Sequence, residues 1–550
     1  MKKIMMIVIL FSLFLMKLNF FKLERNEWND EANSLLGLTI DGSPTTTFPT
    51  KESGYAIGSI ICDKGANGVW DYEAWTLKIR NIIESRTKCQ INFISKYTES
   101  ILNGTDPVLK DGLIPVTIDN DGVVKKANLG SEWYDYETKQ WANAIILNDE
   151  TEKFYDGQII PEESIESYFV WIPRYKYKIF DMGNYTELTT IENKPHEIEI
   201  KFGTETTVDT NESCKTPGVS GEIGTCSIGK YMTHPAFTSF GTNGIWVGKF
   251  ETGYKGAKTA SQAQINQILP NKIQIKPNVY SWREINISNA YLTSYNYRRE
   301  MDSHMMKNTE WGSVAYLHHS KYGSHTSIRI NNNEAYLTGY SAIKEPTCGY
   351  TGTNEECNKY EFTFPKEEGT YTIPWNKTIS QTIYGSLAST TGNISGIYDM
   401  SGGAWEYVMA VMLDSTNTIP CSGRDANLNS GFNGPYCGIP LSLTNGIDFP
   451  IDSKYYDTYK YGTSDKRYDL RILGDATGEM GPFMSKNYIV SVTRQIGSWY
   501  DDEAWFVYTG WSWFSRGRAF IGGTGAGIFD FFNTFGHAVL NHTFRVVLSI

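Results

Sequence analysis

The sequence has no block of basic residues, and several short motifs that mark catalytic sites are missing from it. Its 50 lysines and arginines are outnumbered by 61 aspartates and glutamates, which gives a net charge of −11. Acidic chains without a basic patch bind nucleic acid and anionic lipid poorly, so we expect no nucleic-acid partner. The chain also lacks a GxSxG motif, an HExxH motif and a phosphate-binding glycine loop. These absences argue against the enzyme classes that depend on them.

Long apolar runs are confined to the N-terminus. Lys2 and Lys3 precede an apolar run at residues 4–16 that is broken only by Ser12. This pattern is typical of an export signal, and the run is shorter than the roughly 20 residues of a transmembrane helix. No small-x-small cleavage site follows, so the sequence leaves open whether residues 1–22 are a cleaved signal peptide or a membrane anchor. Either outcome predicts an extracytoplasmic protein, secreted or anchored at the cell surface.

The chain has 8 cysteines, none in CxxC spacing and none accompanied by a histidine pair. This spacing argues against zinc. Eight cysteines allow 105 connectivities, and pairing of nearest neighbours is the simplest of them. We therefore expect four structural disulfides, each worth roughly 2–4 kcal/mol, which agrees with export. The expected pairs are Cys62 with Cys89, Cys214 with Cys226, Cys348 with Cys357, and Cys421 with Cys437.

Composition and pattern predict an α+β fold with much irregular loop. Gly (50) outnumbers Pro (19), aromatic residues make up 14% of the chain, and few helical periods are visible. The best helical pattern covers residues 286–301, and short strand-and-turn patterns fill residues 55–116. After the signal we expect a linker at residues 23–54, a small β-rich domain at 55–160 and a larger domain at 165–550.

Four segments in the second part follow one another in a recognisable order. They are GIWVGKFETGY at residues 244–254, VYSWREINISNAY at 279–291, KNTEWGSVAYL at 307–317 and GNISGIYDMSGGAWEYV at 392–408, and the chain ends in FRVVLSI at 544–550. In order and spacing this series resembles the formylglycine-generating (sulfatase-modifying) enzyme family. The resemblance covers roughly residues 165–550, and it implies the C-type-lectin-like fold of that family, with few helices and small sheets.

The side chains in these segments are typical of a folded core rather than of a catalytic site. Trp311 and Trp405 are large apolar groups whose single N–H needs a partner. Gly402 and Gly403 suit a backbone with positive φ, and Arg545 in an apolar terminal strand is expected to pair with a buried carboxylate or carbonyl.

The resemblance also implies a calcium site at the turn before Trp405. Its ligands would be the side chains of Asp399 and Glu406 and the main-chain oxygens of Gly402 and Ala404, and such hard oxygen donors are those that calcium takes. The alternative is that the two carboxylates accept local backbone hydrogen bonds.

The chemistry of the family is missing from this chain. Formylglycine generation needs a reactive cysteine pair ahead of the final strand, and thiolate chemistry has no substitute among serine or phenylalanine side chains. The last cysteine here is Cys437, and residues 510–523 contain none. The HxxxHxE cluster of the iron-dependent branch is absent too. We therefore expect a protein that is not an enzyme.

Residues 514–543 have an unusual composition. Lys, Glu, Gln, Met and Trp make up 108 of the 550 residues, so thirty residues should hold about six of them, yet this segment holds none. Randomising the first two bases of an AAY asparagine codon cannot produce these five types. The segment also resembles the variable tail of target proteins of diversity-generating retroelements, which use the same lectin-like fold. The alternative is a Gly- and Phe-rich pair of core strands.

If the segment is a variable tail, the residues between its fixed positions are the predicted ligand contacts. Three hypotheses follow: a recognition protein diversified by a retroelement, whose ligand is an unidentified protein or glycan; a static structural or adhesive envelope protein; and a sulfatase-modifying oxidase, which the missing thiols disfavour. The predicted contacts are Arg518, Phe520, Ile521, Thr524, Asp530, Phe532, His537, Val539, Leu540, Asn541 and His542.

Overall fold

The computed structural model describes most of the chain from residue 101 onward. Backbone and side chains are described at residues 101–129, 133–179, 195, 197–204, 224–227, 229–277, 279–330, 386–416, 430–432, 447–462, 470–477, 499–500, 502–508, 510–520 and 526–550. The backbone alone is described at residues 20–23, 56–62, 68–70, 89–95, 331, 362–363, 370–371, 433, 495–496 and 501. The predicted signal segment 1–22 and linker 23–54 therefore lie outside the described residues, apart from one short strand.

The described residues form many short strands and two α-helices, which are α1 (Ile287–Tyr295) and α2 (Asn308–His318). In chain order the strands are β1 Phe20–Leu23, β2 Ala56–Cys62, β3 Gly68–Trp70, β4 Cys89–Ser95, β5 Ile114–Ile118, β6 Val124–Lys126, β7 Asn143–Leu147, β8 Ile165–Pro173, β9 Tyr175–Lys178, β10 Ile200–Phe202, β11 Tyr231–Thr233, β12 Gly244–Gly248, β13 Gly253–Tyr254, β14 Ile273–Gln274, β15 His304–Met305, β16 Ile330–Asn331, β17 Phe362–Thr363, β18 Thr370–Tyr371, β19 Trp405–Met412, β20 Phe432–Asn433, β21 Ile447–Asp448, β22 Asp457–Tyr459, β23 Gln495–Ile496, β24 Glu503–Ala504, β25 Trp513–Arg516, β26 Phe531–Thr534, β27 His542–Phe544 and β28 Val546–Leu548.

The chain divides into two compact units. The first comprises Met1–Asn103 with Ala127–Trp133, and the second comprises Gly104–Lys126 with Tyr134–Ile550. The described part of the first unit is an antiparallel sheet of four strands in the order β1-β4-β2-β3.

One large sheet of the second unit joins distant parts of the sequence. Seven strands lie in the order β15-β28-β12-β8-β7-β5-β6. Strand β8 is buried along its whole length, as expected for an apolar strand with a neighbour on each side. The last strand of the chain, β28, pairs with β12 near the middle of the sheet.

This sheet corrects the domain boundary that the sequence predicts near residue 160. Strands β5 and β7 lie before that position, yet β7 pairs with β8 from Asn143 opposite Val170 onward. A buried contact adds to the pairing, because the ammonium group of Lys249 donates hydrogen bonds to Oδ1 of Asn143 at 2.7 Å and to the carbonyl of Gly396 at 2.8 Å. Residues from 104 to 126 and from 134 onward thus fold with the C-terminal region.

A second large sheet surrounds β19, whose eight residues are all buried. Its strands follow the order β22-β19-β25-β26-β24-β23, and β27 also pairs with β19. Smaller sheets are β10-β9-β11, β16-β17-β18, β13-β14 and β20-β21. The mixture of parallel and antiparallel pairs in the β19 sheet brings strands from the last fifty residues onto the apolar strand β19.

Both helices begin at side chains that cap them. Asn286 accepts a hydrogen bond from the backbone N–H of Asn289 at 3.0 Å, which satisfies one of the unpaired amides at the start of α1. The carboxylate of Glu310 accepts the N–H of Lys307 at 2.8 Å and starts α2. The helix predicted at 286–301 is thus confirmed over its first ten residues, with Asn286 as its cap.

The second unit is sheet-rich α+β, as the sequence predicts at this coarse level. Its core is aromatic, and tryptophans are the largest of its wholly buried side chains. The N–H of Trp311 finds the partner that burial demands, the carbonyl of Ile528 at 2.7 Å. In the described part of the chain no helix is long and apolar enough to cross a membrane.

Candidate functional site

The described parts of the C-terminal segment 514–543 contribute to three strands of the β19 sheet, β25, β26 and β27. Strand β25 pairs with β19 and, in antiparallel register, with β26, where Ser515 lies opposite Phe532. Strand β27 runs parallel to β19, with Trp405 opposite His542. Strand β19 itself is buried throughout, so side chains that pack onto it are buried as well.

Three of the predicted contact residues are buried, which corrects the expectation that they project into solvent. Phe520 is 5% exposed, Asp530 is 0% exposed and His542 is 7% exposed. The ring of Phe520 lies 5.6 Å from the guanidinium of Arg283. These three side chains pack inside the domain.

The other described contact residues are half-buried. Phe532 lies within β26, and the others lie in the loops after β25 and between β26 and β27. Two further predicted contacts, Ile521 and Thr524, lie outside the described residues. The half-buried set comprises Arg518, Phe532, His537, Val539, Leu540 and Asn541.

Phe532 lies in the middle of a continuous group of aromatic rings. Its ring centroid is 4.9 Å from Trp505, 5.3 Å from Trp405 and 6.3 Å from Trp511. The group continues from Trp511 to Phe535 at 4.7 Å. Trp405 is buried, whereas the other four rings are half-buried. We call Trp505, Trp511, Phe532 and Phe535 the aromatic surface.

Sequence reasoning missed three of these four residues. Trp505 and Trp511 precede the segment 514–543, and Phe535 is not among the predicted contacts. The sequence did carry a usable signal, because residues 499–514 hold eight aromatic side chains among sixteen residues. Aromatic residues are enriched where proteins bind partners.

His542 packs against Trp405, the buried ring that contacts Phe532 of the aromatic surface. Its ring stacks on Tyr407 at 4.5 Å with an interplanar angle of 29°, and it lies parallel to Trp405 at 6.1 Å. Burial, as the main cause, and the charge of the nearby His537, as the lesser cause, lower the pKa of His542 to about 3. The imidazole is therefore neutral at physiological pH and packs as an aromatic ring.

The backbone of residues 537–541 is held at several points. Trp405 N–H donates to the carbonyl of Asn541 at 2.9 Å, and Glu284 N–H donates to that of Val539 at 2.9 Å. The hydroxyl of Tyr407 donates to the carbonyl of His537 at 2.5 Å. Half-buried side chains thus project from a backbone that hydrogen bonds hold in place. This arrangement lowers the conformational entropy lost on binding.

Arg545 pairs with the buried carboxylate of Glu406. Its Nε donates to Oε2 of Glu406 at 2.8 Å, its Nη2 bonds to the other carboxylate oxygen, and Nη1 donates to the carbonyl of Gly248 at 2.7 Å. Nη2 also donates to the carbonyl of Tyr398 at 3.0 Å. Both charged groups are 0% exposed. The expectation that Arg545 meets a buried carboxylate is confirmed.

Glu251 adds a third carboxylate to the turn that precedes β19. It accepts the N–H of Ala404 at 2.9 Å and a hydrogen bond from the hydroxyl of Ser281, while its own N–H donates to Oδ2 of Asp399 at 3.3 Å. A Cβ at position 403 would lie 2.7 Å from the Glu251 carboxylate. Glycine is required there for that reason.

The predicted backbone of this turn is also confirmed. Gly402 and Gly403 both have φ of 82°, a region that residues with a side chain rarely adopt. The N–H of Gly402 donates to the carbonyl of Gly517 at 2.9 Å. The turn is thereby tied to the start of the C-terminal segment.

Close packing of carboxyl groups alters their titration. Burial, together with the charges of Asp399 and Glu406, raises the pKa of Glu251 well above its ordinary value. Burial raises the pKa of Glu406 to about 7 against the opposing effect of Arg545. The turn therefore favours holding a proton among its carboxylates.

These contacts do not favour the predicted calcium ligand set of Asp399, Gly402, Ala404 and Glu406. Both carboxylate oxygens of Glu406 bond to Arg545, and Asp399 accepts a backbone N–H. Among the described residues, no group of three or more His, Cys, Asp or Glu side chains is placed to hold a metal ion. Calcium stays a prediction, and the alternative of local hydrogen bonding describes the contacts that are present.

A second group of carboxylates lies beside the aromatic surface. Arg518 Nη1 contacts the carboxylate of Glu503 and lies 3.7 Å from Oδ2 of Asp530. Neither carboxylate oxygen of the wholly buried Asp530 accepts a hydrogen bond. Trp505 links this group to the aromatic surface, since its indole N–H donates to Glu503 at 2.6 Å.

The three described cysteines, Cys62, Cys89 and Cys226, agree with the expected disulfides. Cys226 is disulfide-bonded. Cys62 and Cys89 lie opposite each other in the ladder between β2 and β4, and opposite Cα atoms of an antiparallel pair, about 4.5–5.5 Å apart, are within the reach of a disulfide. The other expected disulfide positions, Cys214, Cys348, Cys357, Cys421 and Cys437, lie outside the described residues.

The chain matches no protein-family model, and no curated protein matches it either.

Proposed function

We propose that the chain is a non-catalytic, extracytoplasmic recognition protein with a C-type-lectin-like scaffold. In this proposal the scaffold is related to that of the formylglycine-generating enzymes. The C-terminal segment binds a partner, and a retroelement diversifies the residues that it presents.

The aromatic surface is the observation that carries this proposal. Four half-buried rings of Trp and Phe lie side by side, each within 6.3 Å of the next. Aromatic residues of this kind supply much of the binding energy of protein interfaces. Phe532, a predicted variable position, lies between fixed tryptophans that precede the segment.

The pattern of burial along residues 514–543 supports diversification. Residues between the predicted variable positions are buried, as Arg516, Phe529 and Phe531 illustrate with 0% exposure. Several of the predicted variable positions are half-buried instead, among them His537 and Leu540. A scaffold of this kind tolerates replacement at the presented positions because surface substitutions usually cost no more than about 0.5 kcal/mol.

The absence of the family's thiols supports the non-catalytic part of the proposal. The loop at residues 510–523 carries no cysteine, so the nucleophile of formylglycine generation is missing. The rival hypothesis, a static adhesive or structural envelope protein, uses the same surface without diversification.

Sequencing of the gene in a cell population separates the two hypotheses. Diversification predicts a near-copy of the last coding stretch close to the gene, a reverse-transcriptase gene beside it, and many alleles. Substitutions should concentrate at the codons of Phe532, His537 and Leu540, while those of Phe514 and Phe531 stay constant. A single allele in all cells without a near-copy would leave the static adhesive protein as the explanation.

A further inference from the structure

The group of acidic residues beside the aromatic surface has one unusual member. Asp530 is 0% exposed, yet neither of its carboxylate oxygens accepts a hydrogen bond. Buried carboxylates are ordinarily hydrogen-bonded or tightly paired, because leaving them otherwise costs free energy. The cation that faces Asp530, Arg518, lies 3.7 Å away, which is longer than a hydrogen bond.

Arg518 is a partly exposed cation that contacts Glu503 closely and reaches Asp530 only at 3.7 Å. Its side chain is 24% exposed and is shared between Asp530 and Glu503. Its backbone has φ of 68°, a conformation that costs a non-glycine residue of order 1 kcal/mol or more. The neighbouring Arg516 differs, because it is wholly buried and its guanidinium donates to Oδ1 of Asn308 at 3.2 Å and to the carbonyl of Ala476 at 3.3 Å.

Aromatic faces border the same carboxylates. The indole N–H of Trp505 donates to Oε1 of Glu503 at 2.6 Å, and the ring of Phe532 lies 4.9 Å from Trp505. Both rings are half-buried. Carboxylates beside aromatic faces attract alkylammonium and guanidinium groups by charge and by cation–π interaction.

From this arrangement we infer that the surface receives a lysine or arginine side chain of a protein partner. The partner's cation replaces Arg518 at Glu503 and Asp530, and its neighbouring apolar side chains cover Trp505 and Phe532. Arg518 is then a resident cation that keeps the acidic group neutralised while no partner is bound. This inference rests on the proposed recognition function and names the chemistry of its partner.

A protein side chain fits better than a free amine because the surface extends beyond the carboxylates. The aromatic surface continues from Phe532 to Trp511 and Phe535. A small amine would leave those rings exposed, whereas a basic residue within a peptide brings apolar neighbours to them. A basic residue within a peptide thus fits both the charged group and the apolar area.

The test uses the full chain and short labelled peptides with a central lysine between leucines. A matched peptide carries norleucine, which keeps the aliphatic chain of lysine without the ammonium group, and butylamine serves as the free cation. Binding is measured by fluorescence anisotropy for the peptides and by calorimetry for the amine. We expect the lysine peptide to bind about tenfold more tightly than the norleucine peptide, the effect of one charged contact worth about 1.4 kcal/mol.

Three variants locate the interaction. Glu503→Gln should weaken binding of the lysine peptide about tenfold, whereas Glu137→Gln, which removes the same charge from an exposed pair with Lys321, should leave it unchanged. Arg518→Ala should tighten binding, because the resident cation no longer competes. Thermal melts of each variant identify any loss of folding, and Glu503→Gln, which keeps the shape of the side chain, decides the test if Arg518→Ala is unstable.

The inference fails if the lysine and norleucine peptides bind equally, or if Glu503→Gln behaves like Glu137→Gln. Butylamine binding as tightly as the lysine peptide would also overturn it, because the site would then recognise a small amine. None of these outcomes affects the proposed function, whose own test is the allele pattern of the gene.

Discussion

Two groups of carboxylates in this protein each hold an arginine, and they hold it differently. Arg545 is wholly buried and donates to Glu406 and to the carbonyls of Gly248 and Tyr398. Arg518 is partly exposed and lies 3.7 Å from the carboxylate of Asp530. The first arginine, between β27 and β28, ties β12, β19 and the turn before β19 together, whereas the second borders a surface.

The difference suits the Arg545 pair to stabilising the fold and the Arg518 group to the proposed recognition. A buried pair is stable when every lone pair and N–H finds a partner, and breaking it leaves an uncompensated charge. Arg518 is instead partly exposed, and neither oxygen of the Asp530 carboxylate accepts a hydrogen bond. In the inferred interaction, a partner's cation takes the place of Arg518.

Removing Arg545 should give the largest loss of stability. Arg545→Ala leaves Glu406 buried without its cation and two carbonyls without donors, so we expect a loss of about 3–5 kcal/mol. Urea unfolding followed by near-ultraviolet circular dichroism measures this loss.

The control for Arg545 is Lys321→Ala, which breaks an exposed pair with Glu137 and should cost less than about 1 kcal/mol. Arg518→Ala should fall between the two. If Arg545→Ala unfolds at the same urea concentration as the wild type, the buried network does not stabilise the fold and the contrast between the arginines is lost.

A second comparison concerns two phenylalanines that the sequence assigned to one binding face. Phe520→Ala should cost about 3–5 kcal/mol, because a buried ring leaves a cavity. Phe532→Ala should cost only about 1 kcal/mol, since a half-buried ring loses about half of its transfer free energy. Thermal melts of the two single variants measure the difference.

Phe531→Ala, at an adjacent buried position of β26, is the control for a core residue of the same strand. Equal losses at Phe520 and Phe532 would mean that both rings belong to the core, and the aromatic surface would lose its central residue.

A third comparison concerns the pH dependence of stability at the turn before β19. The pKa of Glu251 in the folded protein lies well above its ordinary value of 4.5. Its protonation therefore stabilises the fold fully below about pH 4.5, and this contribution is lost as the pH rises through the folded pKa. Glu251→Gln imitates the protonated group and should remove a slope of up to about 1.4 kcal/mol per pH unit.

Melting temperatures of wild type and Glu251→Gln between pH 5 and pH 8 measure this slope. Glu137→Gln, at an exposed site, should keep the pH dependence of the wild type. A variant Glu251→Gln that follows the wild-type curve at every pH would show that Glu251 is ionised throughout and that the turn holds no proton.

Several features could be read from the sequence because they depend on local chemistry. Two adjacent glycines before an aromatic strand predict a turn with positive φ, and Gly402 and Gly403 have it. An arginine in an apolar strand must find an acceptor, and Arg545 finds Glu406. The periodicity from residue 287 gives helix α1, and the apolar pattern at β4 gives a strand.

Other features were decided by contacts between distant parts of the chain. No local pattern shows that β7 pairs with β8 in the sheet that also contains β28, so the boundary near residue 160 was placed wrongly. Composition alone does not say which residues of segment 514–543 face β19. For the same reason Phe520 and His542 resembled contact residues and are buried.

The sequence by itself determined the lack of cysteine at residues 510–523, the glycine turn and the need of Arg545 for a partner, since each follows from residue type and near neighbours. Only the tertiary structure decided which rings are exposed and which carboxylates meet each arginine. Strand pairing sets those outcomes, because β19 packs against residues more than a hundred positions later in the chain. A side chain's environment depends on that pairing, and the pairing is fixed by the summed burial of the whole sheet.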